Sequence, residues 1–473
     1  MRISRPLIFT LSLASAALLA RSVTATLGEW DFTNNLSGGR YYHTATPLPD
    51  GKILVAAGKG FVTWIATCEI YDPTSGQWSP TGSLAEGRYR HTATTLADGR
   101  ILVAGGVGSP DYFTIKTAEI YDPATGVWSP TGSMLNSRSG HVAVRLASGM
   151  VLAAGGSGTF STNLYNPATG VWSFSGNMHE LRDNATGTLL PNGQVLVAGG
   201  AHFGSPFASA ELYDPATGLW VLTGSLHTAR YDHTATLLPD GKVLVAGGTT
   251  GSLALASAEL YDPGTGVWTE TSNLHDARSN HAATLLPDGQ VLVSAGSGLA
   301  TAELYNPVTG TWSLTGSLNQ ARSYLTTTLL SDGSVLAAGG QFGGGVDWLT
   351  TCEVYGAPET LPSHVKGLGA FDNAGNSVTF QFKAAQSDNE TLGYFSFCDE
   401  AAGYCKKRGR VTSLSFSDNS ATFDGYVQLN AQRVTFTVTI TDGGSTGPDS
   451  IAITLANGYS ANGTLTSGNI TIQ

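Results

Sequence analysis

The chain has 473 residues, room for two or three domains, with 60 glycines, 12% charged residues and a formal net charge of −11. That charge disfavours a nucleic-acid phosphate backbone as partner, and no stretch sustains the 3.6-residue apolar period of a helix. Many short strands joined by tight turns suit this composition.

Residues 1–25 read as a secretory signal. Arg2 and Arg5 precede an apolar run from Leu7 to Ala20, and Val23-Thr24-Ala25 is a small-residue cleavage site. The run is about 14 residues, short of the roughly 20 that a spanning helix needs. The expectation is therefore a secreted protein, extracellular, periplasmic or at a cell surface, with no membrane span once the signal is removed.

From residue 26 to 356 one unit recurs about every 48 residues. Its fifth copy holds four apolar runs, HTATLL, KVLVAGG, SAELYDP and GVWTET, here named strands a to d. An Asp-Gly hairpin links a to b, the chemistry of a type I′ turn. Asp-Pro-x-Thr-Gly links c to d, where Pro presets φ and Gly supplies a positive one. The aspartates of these turns, among them Asp72, Asp98, Asp122, Asp214 and Asp240, need no further role. Seven tyrosines mark strand c, from Tyr71 to Tyr355. Only six tryptophans follow them, Trp78, Trp128, Trp172, Trp220, Trp268 and Trp312. Each indole is expected to pack beneath its own repeat's Gly pair. The seventh is expected from the N-terminus, because Trp30 precedes Gly58 by the same spacing as Trp78 precedes Gly106. Residues 28–33 should then pair with 351–355 and close the ring, which also covers an exposed sheet edge.

The Gly-Gly pair, the Glu-x-Tyr-Asp run, the Trp seven residues after the Tyr and the Arg before strand a resemble the kelch family over residues 28–356. The resemblance implies a seven-bladed β-propeller of four-stranded blades. The repeated Gly-His and Trp-Asp signatures of WD40 repeats are missing. Residues 357–365 read as a linker. From Lys366 to Gln473 the alternation has period two, as in SVTFQFK and RVTFTVTI, which reads as an antiparallel β-sandwich of about eight strands. It is similar to small β-domains appended to secreted bacterial proteins.

In a secreted chain, Cys398 and Cys405, flanking a short loop, invite a disulfide. Cys68 and Cys352 stand where other repeats carry Ala118, Ala210, Ala258 and Ala302 in strand c, and read as small core residues.

Three side-chain series could carry chemistry. Arg40, Arg88, Arg138, Arg182, Arg230, Arg278 and Arg322 precede each strand a, and could form a cationic ring or pair with the strand-c glutamates. The two sets recur together, with Asn163 breaking the glutamate series in repeat three, which favours pairing. His43, His91, His141, His233 and His281 follow three residues later. Clustered histidines suggest metal, but one per blade on an axial strand reads as a seam residue, and no metal or cofactor is expected. The third series is the channel mouth, where Tyr42, Arg90, Gly140, Asn184, Asp232, Asn280 and Tyr324 differ from repeat to repeat. Lys59, Phe61, His202, Phe203, Gln341 and Phe342 lie on the b–c loops of the same face. Variable aromatic, amide and charged groups on a rigid scaffold suit ligand binding.

The reading is a non-enzymatic binding or scaffold protein, monomeric, presenting Tyr42, Lys59, Arg90, Asn184, His202, Asp232, Asn280, Tyr324, Gln341 and Phe342 to a protein or glycan. The alternative is a carbohydrate-active enzyme such as a sugar mutarotase using Asp232 with Arg90. The kelch family also includes copper radical oxidases similar to galactose oxidase. They need a Cys cross-linked to a Tyr plus Tyr and His ligands, and both propeller cysteines here lie on strand c, away from the axis.

Overall fold

The computed structural model describes residues 28–61, 63–108, 112–342 and 347–356, and eight further strands between 363 and 472. The expected signal, residues 1–25, lies outside the described residues. The chain divides into two compact units, Met1–Glu359 and Thr360–Gln473.

The first unit is a seven-bladed β-propeller with seven four-stranded antiparallel sheets. In the fifth blade strand a is Thr234–Leu237, b is Val243–Ala246, c is Ala258–Asp262 and d is Val267–Glu270. Strand b is buried at every position in all seven blades. Both its faces lie against neighbouring blades, which is why its sequence is a continuous apolar run rather than an alternation. The cores therefore lie between blades. Leu190, Leu196 and Ala198 of the fourth blade pack with Val243, Val245, Tyr261 and Trp268 of the fifth.

The ring closes as the Trp spacing predicts. Trp30–Phe32 is the outer strand of the seventh blade and pairs antiparallel with Cys352–Tyr355, Trp30 opposite Tyr355 and Phe32 opposite Glu353. Trp30 is 4% exposed, and its ring lies 5.2 Å from that of Tyr355.

The tryptophans do not sit beneath their own Gly pairs. Each lies opposite the strand-c Tyr near the c–d turn, at the end of the blade away from those glycines, with ring centroids about 5 Å apart. Most of the indoles reach back to the preceding blade. Trp128 Nε1 donates to the Gly82 carbonyl at 3.0 Å and Trp268 Nε1 to the Gly224 carbonyl at 2.8 Å, while Trp220 donates to Thr162 Oγ1 at 2.9 Å. The Gly pairs instead allow close approach at the other face. A Cβ on Gly106 would lie 2.8 Å from the Tyr89 carbonyl and 3.0 Å from His91 Cβ.

The second unit has eight antiparallel strands, from Ser363–Asn373 to Ser460–Ile472, and these two pair with each other. The sheet is therefore one closed barrel rather than the expected two-sheet sandwich. Period-two alternation is common to both forms, because each has one face inward. Phe436, Val438 and Ile440 are buried while Thr435, Thr437 and Thr439 between them are exposed. Ser363 already lies in a strand, so the linker is shorter than 357–365. The strands bearing Cys398 and Cys405 pair with each other, Phe397 opposite Lys407 and Asp399 opposite Tyr404. The two cysteine side chains lie outside the described residues, and their disulfide stays a proposal.

Candidate functional site at the channel mouth

The arginine series is framework. All seven are at most 1% exposed. Arg230 donates from Nη1 to the Gly247 and Ser257 carbonyls at 2.7 and 2.9 Å, and from Nη2 to Glu259 Oε1 at 2.8 Å. The other Glu259 oxygen accepts the His227 backbone N–H at 2.8 Å. The guanidinium thus ties strands b and c to the segment entering strand a. In the third blade Arg138 Nη2 donates to Asn163 Oδ1 at 3.2 Å. With no carboxylate there, burial lowers the Arg138 pKa to about 10.

The histidines are seam residues. Nε2 of His43, His91, His141, His233 and His281 hydrogen-bonds a threonine hydroxyl on strand a of the preceding blade at 2.9–3.1 Å. Burial, then the nearby arginine, lowers the pKa of His43, His91, His233 and His281 to about 3, and that of His141 well below its ordinary value. A second histidine series went unnoticed in the sequence. His179, His227 and His275 are half-exposed, and Nδ1 of each hydrogen-bonds the buried strand-c glutamate at 2.8–2.9 Å.

The mouth is built differently. All seven residues two after the framework arginines have left-handed backbone, from φ 51° at Tyr42 and Asn184 to φ 59° at Gly140. Backbone hydrogen bonds link five neighbouring pairs around the axis. Arg90 donates to Tyr42, Gly140 to Arg90, Asn184 to Gly140, Asn280 to Asp232 and Tyr324 to Asn280, at 2.9–3.3 Å. A left-handed L-residue costs roughly 1–2 kcal/mol that glycine avoids. Gly140 demonstrates that glycine fits this ring, yet six blades place a side chain there.

Those side chains converge. Tyr42 and Tyr324 have ring centroids 4.4 Å apart, and Tyr41 lies 5.9 Å from Tyr324. Arg90 Nη2 donates to the Tyr42 hydroxyl at 2.7 Å, with the guanidinium 4.5 Å from the Tyr42 ring centroid. Asn184 Oδ1 reaches over Gly140, 2.7 Å from where a Cβ would stand. Burial pushes the Asp232 carboxyl up to about 6; Arg90 opposes this and Asp183 reinforces it. Burial likewise raises the Tyr42 phenol beyond its ordinary range, against the pull of Arg90. Burial acts to lower the Arg90 pKa, but Tyr42, Asp232 and Asp183 outweigh it and the net shift is upward.

A cavity of about 480 Å3 opens here, lined by Tyr41, Tyr42, Ser279, Asn280, Ser297, Gly298, Ser323, Tyr324 and Gln341. Of the sequence-predicted residues it gathers Tyr42, Asn280, Tyr324 and Gln341. Arg90 adjoins it through Tyr42. Asn184 and Asp232 occupy other parts of the same ring. Lys59 stands to one side, its ammonium 5.3 Å from the Tyr89 ring centroid. The structure does not bring His202 or Phe342 into this cavity. His202 packs on Phe203 in a hairpin, and Phe342 pairs with Asp347 in another. Sequence reasoning missed Tyr41, Asp183, Ser279 and Ser323. Each immediately precedes a ring position, and that offset was the available signal. A second cleft of about 590 Å3 includes Arg40, Phe61, Ile65 and Trp348, with Phe61 edge-on to Trp348 at 4.9 Å.

The Kelch motif is matched at residues 40–85, 88–135 and 230–275. The first unit is a seven-bladed β-propeller carrying kelch motifs. No curated protein matches the sequence. Among solved structures the chain is similar to a fungal alcohol oxidase of the AA5 family in complex with copper. Identity is 17% and the TM-score 0.61, over 93% of this chain and 100% of the other. At that identity the likeness is one of fold. Cys68 and Cys352 are buried between blades, each with its thiol 3.6 Å from a carbonyl two residues earlier. Among the described residues no group of three His, Cys, Asp or Glu side chains could hold a metal. Among the described residues neither Cys68 nor Cys352 lies with the tyrosines that line the mouth, as a Cys–Tyr copper centre there would need.

Proposed function

We propose that the kelch propeller is a binding module of an exported protein, with its ligand seated at the channel mouth. One observation carries this: six blades hold a side chain at a left-handed position where Gly140 fits without strain. Residues kept in sparsely populated backbone conformations cluster at ligand sites. Their identities differ from blade to blade, whereas the seam residues repeat, so the mouth has a chemical asymmetry that a purely structural ring does not need. The test is a screen of the purified protein against glycan and protein arrays, repeated with Arg90→Ala, Asp232→Ala and Tyr324→Ala. Weakened capture with the melting temperature moved by no more than a few degrees is the expected result. Equal loss of fold and capture would make the ring structural.

A second reading rests on Asp232. A carboxyl raised to about 6, close to neutrality, beside Arg90 and Asp183 suits proton transfer on a sugar, as a mutarotase requires. An anomerisation assay of the parent and Asp232→Asn separates the two, because a pure binding module leaves the rate unchanged in both.

A further inference from the structure

Resting on the binding-module reading, the chemistry of the 480 Å3 cavity identifies the class of ligand. Part of its lining is an aromatic cluster, with Tyr324 4.4 Å from Tyr42 and 5.9 Å from Tyr41, centroid to centroid. The same lining supplies hydroxyls and amides from Ser279, Asn280, Ser323 and Gln341. None of the lining side chains carries a formal charge at neutral pH. Arg90, which adjoins the cavity, is turned onto the face and hydroxyl of Tyr42.

The backbone fixes much of this lining. The Ser279 N–H donates to Ser297 Oγ at 2.9 Å, and the Gly298 N–H donates to Ser323 Oγ at 2.9 Å. Antiparallel bridging of Ser323 with Gln341 holds the latter at the rim. The Tyr41 and Tyr324 hydroxyls and the Gln341 amide make no hydrogen bond among the described residues. Hydroxyls and amides both donate and accept, and the volume falls in the range that seats small ligands.

We propose that this cavity binds a neutral sugar ring of a glycan. A pyranose presents one face of C–H groups, which an aromatic wall covers, and an equator of hydroxyls, which need donors and acceptors in alternation. An acidic or amino sugar would bring a charge into a lining that offers no counter-charge, and an unpaired buried charge is costly. A peptide side chain fits the aromatic wall but leaves the amides and hydroxyls without partners, a penalty of its own.

The experiment is calorimetric and NMR titration of the signal-free full chain with neutral gluco-, manno-, galacto- and xylo-oligosaccharides. Oligogalacturonate, sialyllactose and chitosan oligomers serve as charged counterparts. Saturable binding of at least one neutral sugar is expected, weakened about tenfold or more by Tyr324→Ala and by Gln341→Ala. Both variants should melt like the parent. Neutral-sugar binding unmoved by either variant would overturn the placement. Binding of only the charged sugars, abolished by Arg90→Ala, would overturn the ligand class while leaving the module reading intact. Absence of all sugar binding up to about 10 mM overturns the neutral-sugar inference. Whether capture of a protein by the ring residues then survives decides the module reading separately.

Discussion

The seams and the mouth of the propeller start from the same repeat and reach opposite solutions. At a seam every blade uses the same groups, a guanidinium with at most 1% exposure bound to a strand-c acid or amide, and usually a histidine bound to a threonine. At the mouth, two residues after each of those arginines, every blade has the same left-handed backbone but not the same side chain. The repeat therefore fixes conformation in both regions and chemistry in only one. Regular geometry with irregular chemistry is what a scaffold with a site requires.

The largest expected effect comes from removing the shared framework where it closes. Deleting residues 28–36 takes out the outer strand of the seventh blade and the buried Trp30 and Leu36. The melting temperature should fall by more than about 10 °C, and the exposed edge of Cys352–Tyr355 should promote aggregation. A truncated chain that melts like the parent would show that the closure contributes nothing.

Next comes a single seam acid. Glu259→Ala leaves the Arg230 guanidinium buried without its carboxylate and should cost roughly 3–5 kcal/mol in denaturant unfolding. Arg90→Ala at the mouth should cost less, about 1–2 kcal/mol, because it keeps the backbone bonds of the ring and loses one side-chain hydrogen bond, to a phenol. Comparable losses at the two sites would erase the distinction between them.

The two regions also answer pH with opposite signs. Burial holds the folded pKa of His43, His91, His233 and His281 near 3 and that of His141 well below the ordinary value of about 6.5 that the unfolded chain keeps. As pH falls below 6.5 the unfolded chain gains protons that the folded one refuses, so stability drops. Each histidine contributes a slope of up to about 1.4 kcal/mol per pH unit. Asp232 titrates near 6 when folded and 3.8 when unfolded, so between these values the folded state holds the extra proton and stability rises as pH falls. With five histidines against one aspartate, melting temperature should fall steeply from pH 6.5 to 4. His233→Leu should shallow the slope, because Leu325 already fills that position in the seventh blade. Asp232→Asn should steepen it. A flat profile in the parent would mean that the seam histidines admit protons when folded.

What the sequence made legible divides along the same line. Repetition revealed the blades, the arginine–glutamate pairing and the donated strand at Trp30, because each depends on spacing alone. The left-handed ring was harder to read: Gly140, Asn184, Asp232 and Asn280 are residue types that tolerate a positive φ, but Tyr42, Arg90 and Tyr324 at the same position mask the pattern. Asp183 could be found only by its place just before the ring position Asn184, because its neighbour in charge, Asp232, lies one blade away and 49 positions on. The indoles were assigned to the wrong end of the blade, since counting residues to the Gly pair says nothing about direction along strand d. Barrel and sandwich share one alternation, so closure of the second unit depended on which edge strands pair.

The smallest expected effect is the most direct probe of the ring. Asn184 has φ 51°, and its side chain reaches over Gly140 without forming part of an inter-blade core. Asn184→Gly removes a left-handed side chain while keeping the backbone donor to the Gly140 carbonyl. Asparagine tolerates this conformation better than tyrosine does, so the relief is modest. Added freedom of the unfolded chain offsets part of it. The net change in unfolding free energy should lie between about 0 and +0.5 kcal/mol. If the side chains at these positions serve a ligand, the same substitution should weaken binding while the protein becomes no less stable. A loss of more than about 1 kcal/mol in urea unfolding would instead assign Asn184 to the framework, and the division between seam and mouth would then have to be drawn elsewhere.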